Sequence, residues 1–196
     1  TASVRLKQSL DNGWLWTTSY GQQPLKTDDR LAYAFGCSAE SAYDRFCSNG
    51  SFDLYDWRSN HERRRVDAWQ TEVAGQTQLA GLRHDLALGL MRYRSDLVTQ
   101  PYAYNWAGVG SVFTPFTSSA APDALYPNTN RSESATELSL RDRIRLDARN
   151  TLWGGLRHSR IDRASVNTDG SSPLQMQRSF TTPWLAFSHA LNPATT

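Results

Sequence analysis

No run of eighteen apolar residues occurs in this 196-residue sequence, so a helical membrane span is excluded. Spanning strands are not, because only half their residues need be apolar and their loops can be wholly polar. The apolar fraction is 39% and mean hydropathy is −0.59, little for a packed core. Charge of one sign is also missing. With 21 basic and 19 acidic residues, the net charge of +2 gives no case for nucleic acid or an anionic bilayer surface as partner. Catalytic constellations are poor. His61, His84, His158 and His189 are scattered, and no G-x-S-x-G, H-E-x-x-H or phosphate loop occurs. His84-Asp85 and His158-Ser159 are adjacent, which sends their side chains to opposite faces of a strand. No catalytic residue and no metal site is expected. The opening TASVRLKQ lacks the apolar core of a signal peptide, and the chain is expected to be an excerpt of a longer protein.

Cysteine is nearly absent too. Cys37 and Cys47 stand alone, in the polar stretch GCSAESAYDRFCSNG. Two cysteines without a nearby histidine supply too few ligands for zinc. The spacing suits a loop-stapling disulfide, which points to an oxidising compartment.

What the sequence does have is alternation. In residues 137–147, Leu138, Leu140, Ile144 and Leu146 fall on one face. Glu137, Ser139, Arg141, Arg143, Arg145 and Asp147 fall on the other, and Asp142 interrupts the apolar series. Period two over eleven residues is a strand. Six further runs read the same way, giving strands near 2–10, 14–22, 62–79, 84–97, 132–147, 151–163 and 176–191. A helix over 84–94 is the alternative there, since Leu86, Leu90 and Tyr93 have helical spacing, but Gly89 weakens it.

Connections alternate in length. Turns at 11–13, 80–83 and 147–150 are short, whereas 23–61, 98–131 and 164–175 are long and polar. The first long connection carries two aromatic runs, at 31–35 and 52–57, suggesting an ordered loop with a small hairpin of its own. The second is studded with Tyr102, Tyr104, Trp106, Phe113, Phe116 and Tyr126. Strictly alternating connections place all tight turns at one end of an up-and-down sheet. Strands of about 16 residues span about 50 Å, or about 40 Å when tilted, far beyond the usual 5–6 residues or so of globular strands. Together these predict an all-β, antiparallel, up-and-down transmembrane barrel wall. A solvated face on an ordinary sheet would explain the charge alone, but not the strand length.

Residues 46–76, 82–90 (LRHDLALGL), 139–146 (SLRDRIRL), 152–162 (LWGGLRHSRID) and 181–196 together resemble TonB-dependent outer-membrane receptors of the ferric-siderophore type. The resemblance covers about half the chain. It implies about seven strands of a larger barrel of ~22 strands, with residues 1–196 forming a partial barrel domain and the plug domain and other strands lying elsewhere. It further implies a bacterial outer-membrane location and no enzymatic activity. The ligand would be a ferric siderophore, with no covalently bound cofactor. Partners would be outer-membrane lipid and a TonB-type energy-coupling complex reached through the plug. Such a ligand needs aromatic faces and arginine, so Tyr55, Trp57, Tyr102, Tyr104, Trp106 and Tyr126 are the candidate ligand-binding residues, with Arg63, Arg64 and Arg65 at the foot of the first loop. Trp14, Trp16, Trp69, Trp153 and Trp184 are expected to be interfacial-belt or structural residues. The alternatives are a passive or adhesive barrel that binds a surface partner through its loops, a soluble β-sandwich binding module, and an outer-membrane hydrolase.

Overall fold

Period-two alternation commits most of the chain to strands. The computed structural model describes residues 1–115 and 125–191. It has β1 (Ala2–Ser9), β2 (Leu15–Ala34), β3 (Ser51–Leu79), β4 (Leu82–Val98), β5 (Tyr102–Ser111), β6 (Leu125–Tyr126), β7 (Thr129–Arg145), β8 (Asn150–Asn167) and β9 (Leu174–His189). The long strands form one antiparallel sheet in the order β1-β2-β3-β4-β7-β8-β9, with β5 pairing β3 and β6 pairing β5. The seven expected wall strands are all present, and residues 84–94 are strand, not helix. Phe116 and residues 192–196, the end of the last stretch that carries the resemblance, lie outside the described residues.

Tight turns close one end, here called the lower end. Ala80 and Gly81 both adopt positive φ (49° and 77°) between β3 and β4, the backbone that a two-residue hairpin with the right twist needs. Between β7 and β8, the Asp147 carboxylate accepts the N–H groups of Arg149 and Asn150, a local turn device open to aspartate.

At the upper end the expected long loops are mostly strand. Residues 23–61 are not an irregular loop. β2 runs to Ala34 and β3 starts at Ser51, and the two aromatic runs pair with each other, Leu31 with Trp57 and Tyr33 with Tyr55, as an extension of the same ladder. Residues 102–111 form β5, and the third connection shrinks to 168–173. Polarity hid these extensions, because a ladder standing in water needs no apolar face.

The wall has two chemically distinct faces. Registers place Trp16, Val73, Leu88, Leu140 and Leu156 on one rung of the first face. Leu88, Leu138, Leu140 and Leu156 are about half exposed, with none of the described residues packed over them. This apolar face runs from Tyr20 and Trp69 down to Leu79, about 33 Å along the strand or ~25 Å when tilted ~40°. That matches the apolar band of a membrane barrel, ~25 Å tall. A Cβ on Gly75 would overlap the Trp14 indole, so glycine lets Trp14 lie flat on this face.

Asp142 finds its reason here. Its Oδ2 lies 2.7 Å from His84 Nδ1, on the same face two rungs above the lower turns.

The opposite face carries the charge. Arg141 pairs with Glu72 (2.6 Å), Arg143 with Asp85 (3.5 Å) and Arg157 with Glu137 (3.9 Å). Arg143 also lies 4.9 Å over the Trp153 ring, and Trp184 covers Gly155. Trp153 and Trp184 therefore belong to this face, where an interfacial-belt role does not fit and a structural one does. Arg145 makes no ion pair among the described residues.

The buried apolar core lies wholly in the upper lobe, where β2, β3 and β5 extend above the wall. Cys37, Cys47, Phe52, Leu54 and Ala103 form it, with the Phe46 ring tilted against Phe52 at 5.0 Å. Cys37 and Cys47 are joined, as expected. Closing that loop contributes about 3 kcal/mol in the chain-entropy model. Thiol titration of the denatured, unreduced protein is expected to find no free thiol, and reduction to lower the melting temperature. Two titratable thiols before reduction would contradict the pairing.

An aromatic face on the upper lobe

The sense of the candidate site is set by a register irregularity between β2 and β3; a second, between β3 and β5, falls at Leu54/Tyr55. Thr27 pairs with Glu62 and Asp29 with Ser59, so Asp28 stands opposite both Asn60 and His61. This is a β-bulge with one extra residue on β3. His61 takes φ 59°, and Asp28 Oδ1 accepts its backbone N–H at 2.7 Å. Glu62 receives the Ser59 hydroxyl at 2.6 Å in a buried position. The extra residue reverses which β3 side chains face which way. Below it the even residues share the charged face; above it Tyr55 and Trp57 do. β2 carries no extra residue, so its odd positions run continuously from Thr17 on the charged face to Leu31 and Tyr33 above.

β4 ends at Val98, still paired with Arg63. After Thr99–Pro101 the chain resumes as β5, which takes over the same edge of β3: Ala103 pairs with Arg58, Tyr104 with Trp57 and Trp106 with Tyr55. Asn130 secures the gap by accepting the Thr99 N–H (2.7 Å) and hydroxyl (3.1 Å).

The six candidate residues thus share one face. Tyr55 is its centre. It stacks on Tyr104 at 5.4 Å with ring planes 7° apart and on Tyr33 at 5.9 Å, with Phe35 edge-on at 6.3 Å. Tyr102 packs on Tyr126 at 5.6 Å. Trp57 and Trp106 are placed by register beside Tyr104 and Tyr55, and Trp106 is 57% exposed. Sequence reasoning missed Tyr33 and Phe35. The alternation Leu31-Tyr33-Phe35 was the available signal, readable only once this run is known to pair with Phe52–Trp57.

Two arginines stand below the aromatic rings on the same side. Arg64, Leu97 and Arg131 occupy one rung, which sets the two arginine backbones ~10 Å apart. Arg64 lies 3.5 Å from Glu62; Arg131 makes no ion pair among the described residues. Arg63 and Arg65, by alternation, belong to the other face.

Electrostatics keep the aromatic face neutral. The Tyr33 phenol is pushed up to about 12, chiefly by its hydrogen bond with Tyr104, and burial raises that of Tyr55. Both are neutral hydroxyls at neutral pH. Asp53 is held below the usual carboxylate range, first by the Ser38 backbone N–H (2.6 Å) and then by the Trp106 indole N–H (3.2 Å). It anchors the cystine loop and Trp106 together. Cys37, Glu40 and Cys47 also converge, but the sulfurs are bonded to each other and Glu40 is held by Ser48. Each histidine is engaged locally, His158 with Thr181 and His189 with Asn150, and none stands beside a nucleophile and a base.

No protein-family model matches the chain, and no curated protein matches it in sequence. Solved structures do match. The ferripyoverdine receptor of the outer membrane of Pseudomonas aeruginosa superposes with a TM-score of 0.74 at 12% identity, over 97% of this chain and 24% of its own. The ferric citrate transporter FecA gives 0.63 at 12% identity, over 97% and 25%. BauA, the ferric preacinetobactin receptor from Acinetobacter baumannii, gives 0.60 at 16% identity, over 94% and 27%. The chain spans about a quarter of the length of these proteins.

Because Asp53 is depressed in the folded state, its contribution to stability is present above the ordinary carboxylate pKa and lost as pH falls through its lower folded value. Asp53→Asn is therefore expected to lower the melting temperature at pH 7 and to have little further effect at pH 2–3. An equal loss at both pH values would count against the carboxylate's role. The fold of the chain is that of a stretch of the barrel wall, with the extensions above it, seen in these solved outer-membrane proteins.

Proposed function

We propose that the chain is part of a TonB-dependent outer-membrane receptor that binds a ferric siderophore and imports it. The apolar face meets lipid, and the charged face lines the lumen, where a plug domain supplied by another part of the protein would sit. Energy for import comes from a TonB-type inner-membrane complex acting through that plug. The ferric chelate is cargo, and this segment makes no covalent step.

One observation carries the reading. The bulge at Asn60–His61 turns Tyr55 and Trp57 to the lumen side, so the aromatic face overlooks the barrel mouth with Arg64 and Arg131 beneath it. A bulky, partly apolar anion is received there by stacking on neutral rings, which costs little side-chain entropy, and by guanidinium contact with its oxygens. An adhesive barrel would use outward-facing loop tips, whereas these rings face inward.

In the intact receptor, Tyr55→Ala with Tyr104→Ala is expected to weaken ferric-chelate binding about tenfold or more, from loss of stacking worth ~0.5–1.5 kcal/mol per ring pair plus buried area. Tyr102→Ala with Trp106→Ala should also weaken it. Unchanged affinity in both double variants, read by tryptophan quenching or calorimetry, would remove the aromatic face from the ligand site. For the membrane claim, folded monomer in plain buffer without detergent is the outcome that excludes it.

A further inference from the structure

Ion pairs neutralise arginines on both sides of the wall. On the apolar side they run along single strands, as in Arg65–Asp67, Arg94–Asp96 and Arg160–Asp162; on the charged side they cross strands. At the mouth the balance tips towards the carboxylates. Asp53 shares the side of β3 that carries Tyr55, and Asp29, opposite Ser59, shares the side of β2 that carries Leu31 and Tyr33. Neither makes an ion pair among the described residues. Asp53 is 3% exposed and held by uncharged donors, the Ser38 N–H (2.6 Å) and hydroxyl (2.9 Å) and the Trp106 indole (3.2 Å). Its charge is hydrogen-bonded but not cancelled. Glu62, buried on the same side, takes up Arg64 at 3.5 Å.

Arg131 is therefore the free cation of the aromatic face. It lines a cleft of about 280 Å³ on the charged side, with Thr129, Ser165 and Leu174. Arg163 and Glu133 also line this cleft, but they pair with each other at 2.5 Å. Pro127 and Asn128 alone separate Tyr126 from the start of β7, so the cleft adjoins the rings. One guanidinium with the Ser165 hydroxyl suits a single carboxylate. Asp29, Asp53 and Glu62 thus stand against Arg64 and Arg131 on the described strands of the mouth. A polyanionic centre over these rings meets like charge, at a cost that grows with the product of the charges. An uncharged centre keeps the ring contact without that cost.

We propose that this mouth selects a ferric chelate whose metal centre carries no net charge, of the trishydroxamate class, over polyanionic chelates such as triscatecholates. It leaves a place for at most one peripheral carboxylate, at Arg131. The inference rests on the reading of the chain as part of a ferric-siderophore receptor and narrows it. Three hydroxamates bring one negative charge each and cancel that of ferric iron, whereas three catecholates bring two each and leave a trianion. Asp29 discriminates by repulsion, and Glu62 does so by neutralising Arg64. Rejection of a near relative by like charge is a common source of specificity.

The test uses the intact receptor in detergent at low ionic strength, with affinity read by tryptophan quenching. Ferrichrome and ferric coprogen are the neutral probes; ferric enterobactin and ferric dicitrate are the polyanionic ones. The tightest probe is expected to be neutral, by about tenfold or more over either polyanion. Asp29→Asn with Glu62→Gln should shift the ratio of affinities about tenfold towards the polyanions, and Arg131→Gln should shift it the other way. A folding defect lowers both affinities and leaves the ratio readable. Added salt screens charge and should narrow the wild-type gap without any substitution. Equal affinity for the two classes, or a polyanion as the tightest probe, overturns the proposal. So does a gap that neither salt nor substitution moves. A receptor that binds no ferric chelate of any charge instead defeats the reading beneath it.

Discussion

Side chains of a strand alternate, and no strand can move a chosen residue to the other face without inserting or removing one. That constraint organises this protein. β3, at 29 residues, pairs β2 along nearly its whole length and uses β4 and then β5 on its other edge. In the wall its even residues point to the charged face. Its aromatic pair, Tyr55 and Trp57, is odd. One extra residue at Asn60–His61, held by Asp28, reconciles the two, and without it the rings would lie on the opposite face of the sheet from Arg64 and Arg131. The stacking of Tyr33, Tyr55 and Tyr104 depends on that count.

Alternation was also what made the wall readable. Leu138, Leu140 and Ile144 against Arg141 and Arg143 announced both faces, and the positive-φ turn residues near Asn12 and Gly81 announced the lower end. The upper lobe was legible only in composition. Its aromatic residues became ligand candidates through the resemblance to siderophore receptors and the needs of such a ligand, but nothing local says that Leu31–Phe35 pairs with Phe52–Trp57, or that Thr99–Pro101 is a jog between two strands on one edge. Such pairing is long-range, and the bulge that sets its sense leaves no residue signature beyond a histidine at positive φ. Asp142 was opaque for the same reason: its partner, His84, lies on another strand.

Charge serves different ends on the two faces. Inside, Arg141, Arg143 and Arg157 are matched with carboxylates across strands, which fixes neighbouring staves relative to each other while leaving the face hydrated. Outside, arginine and aspartate pair along single strands, two residues apart, and do not bridge staves. Cross-strand pairs resist sliding; in-strand pairs only hold side chains in place. The ion pairs of the charged face therefore add to a register that the backbone hydrogen bonds and the alternation of faces already set, and on the opposite face His84–Asp142 and Tyr20–Asp67 also join neighbouring strands.

The buried core of Phe52, Leu54, Ala103 and the cystine belongs to the lobe, above the bulge. The lobe consequently owes its shape to its own packing and not to closure of the barrel. The spacing of the Tyr33, Tyr55 and Tyr104 rings is thereby set within the lobe itself, whatever neighbours the edge strands β1 and β9 acquire.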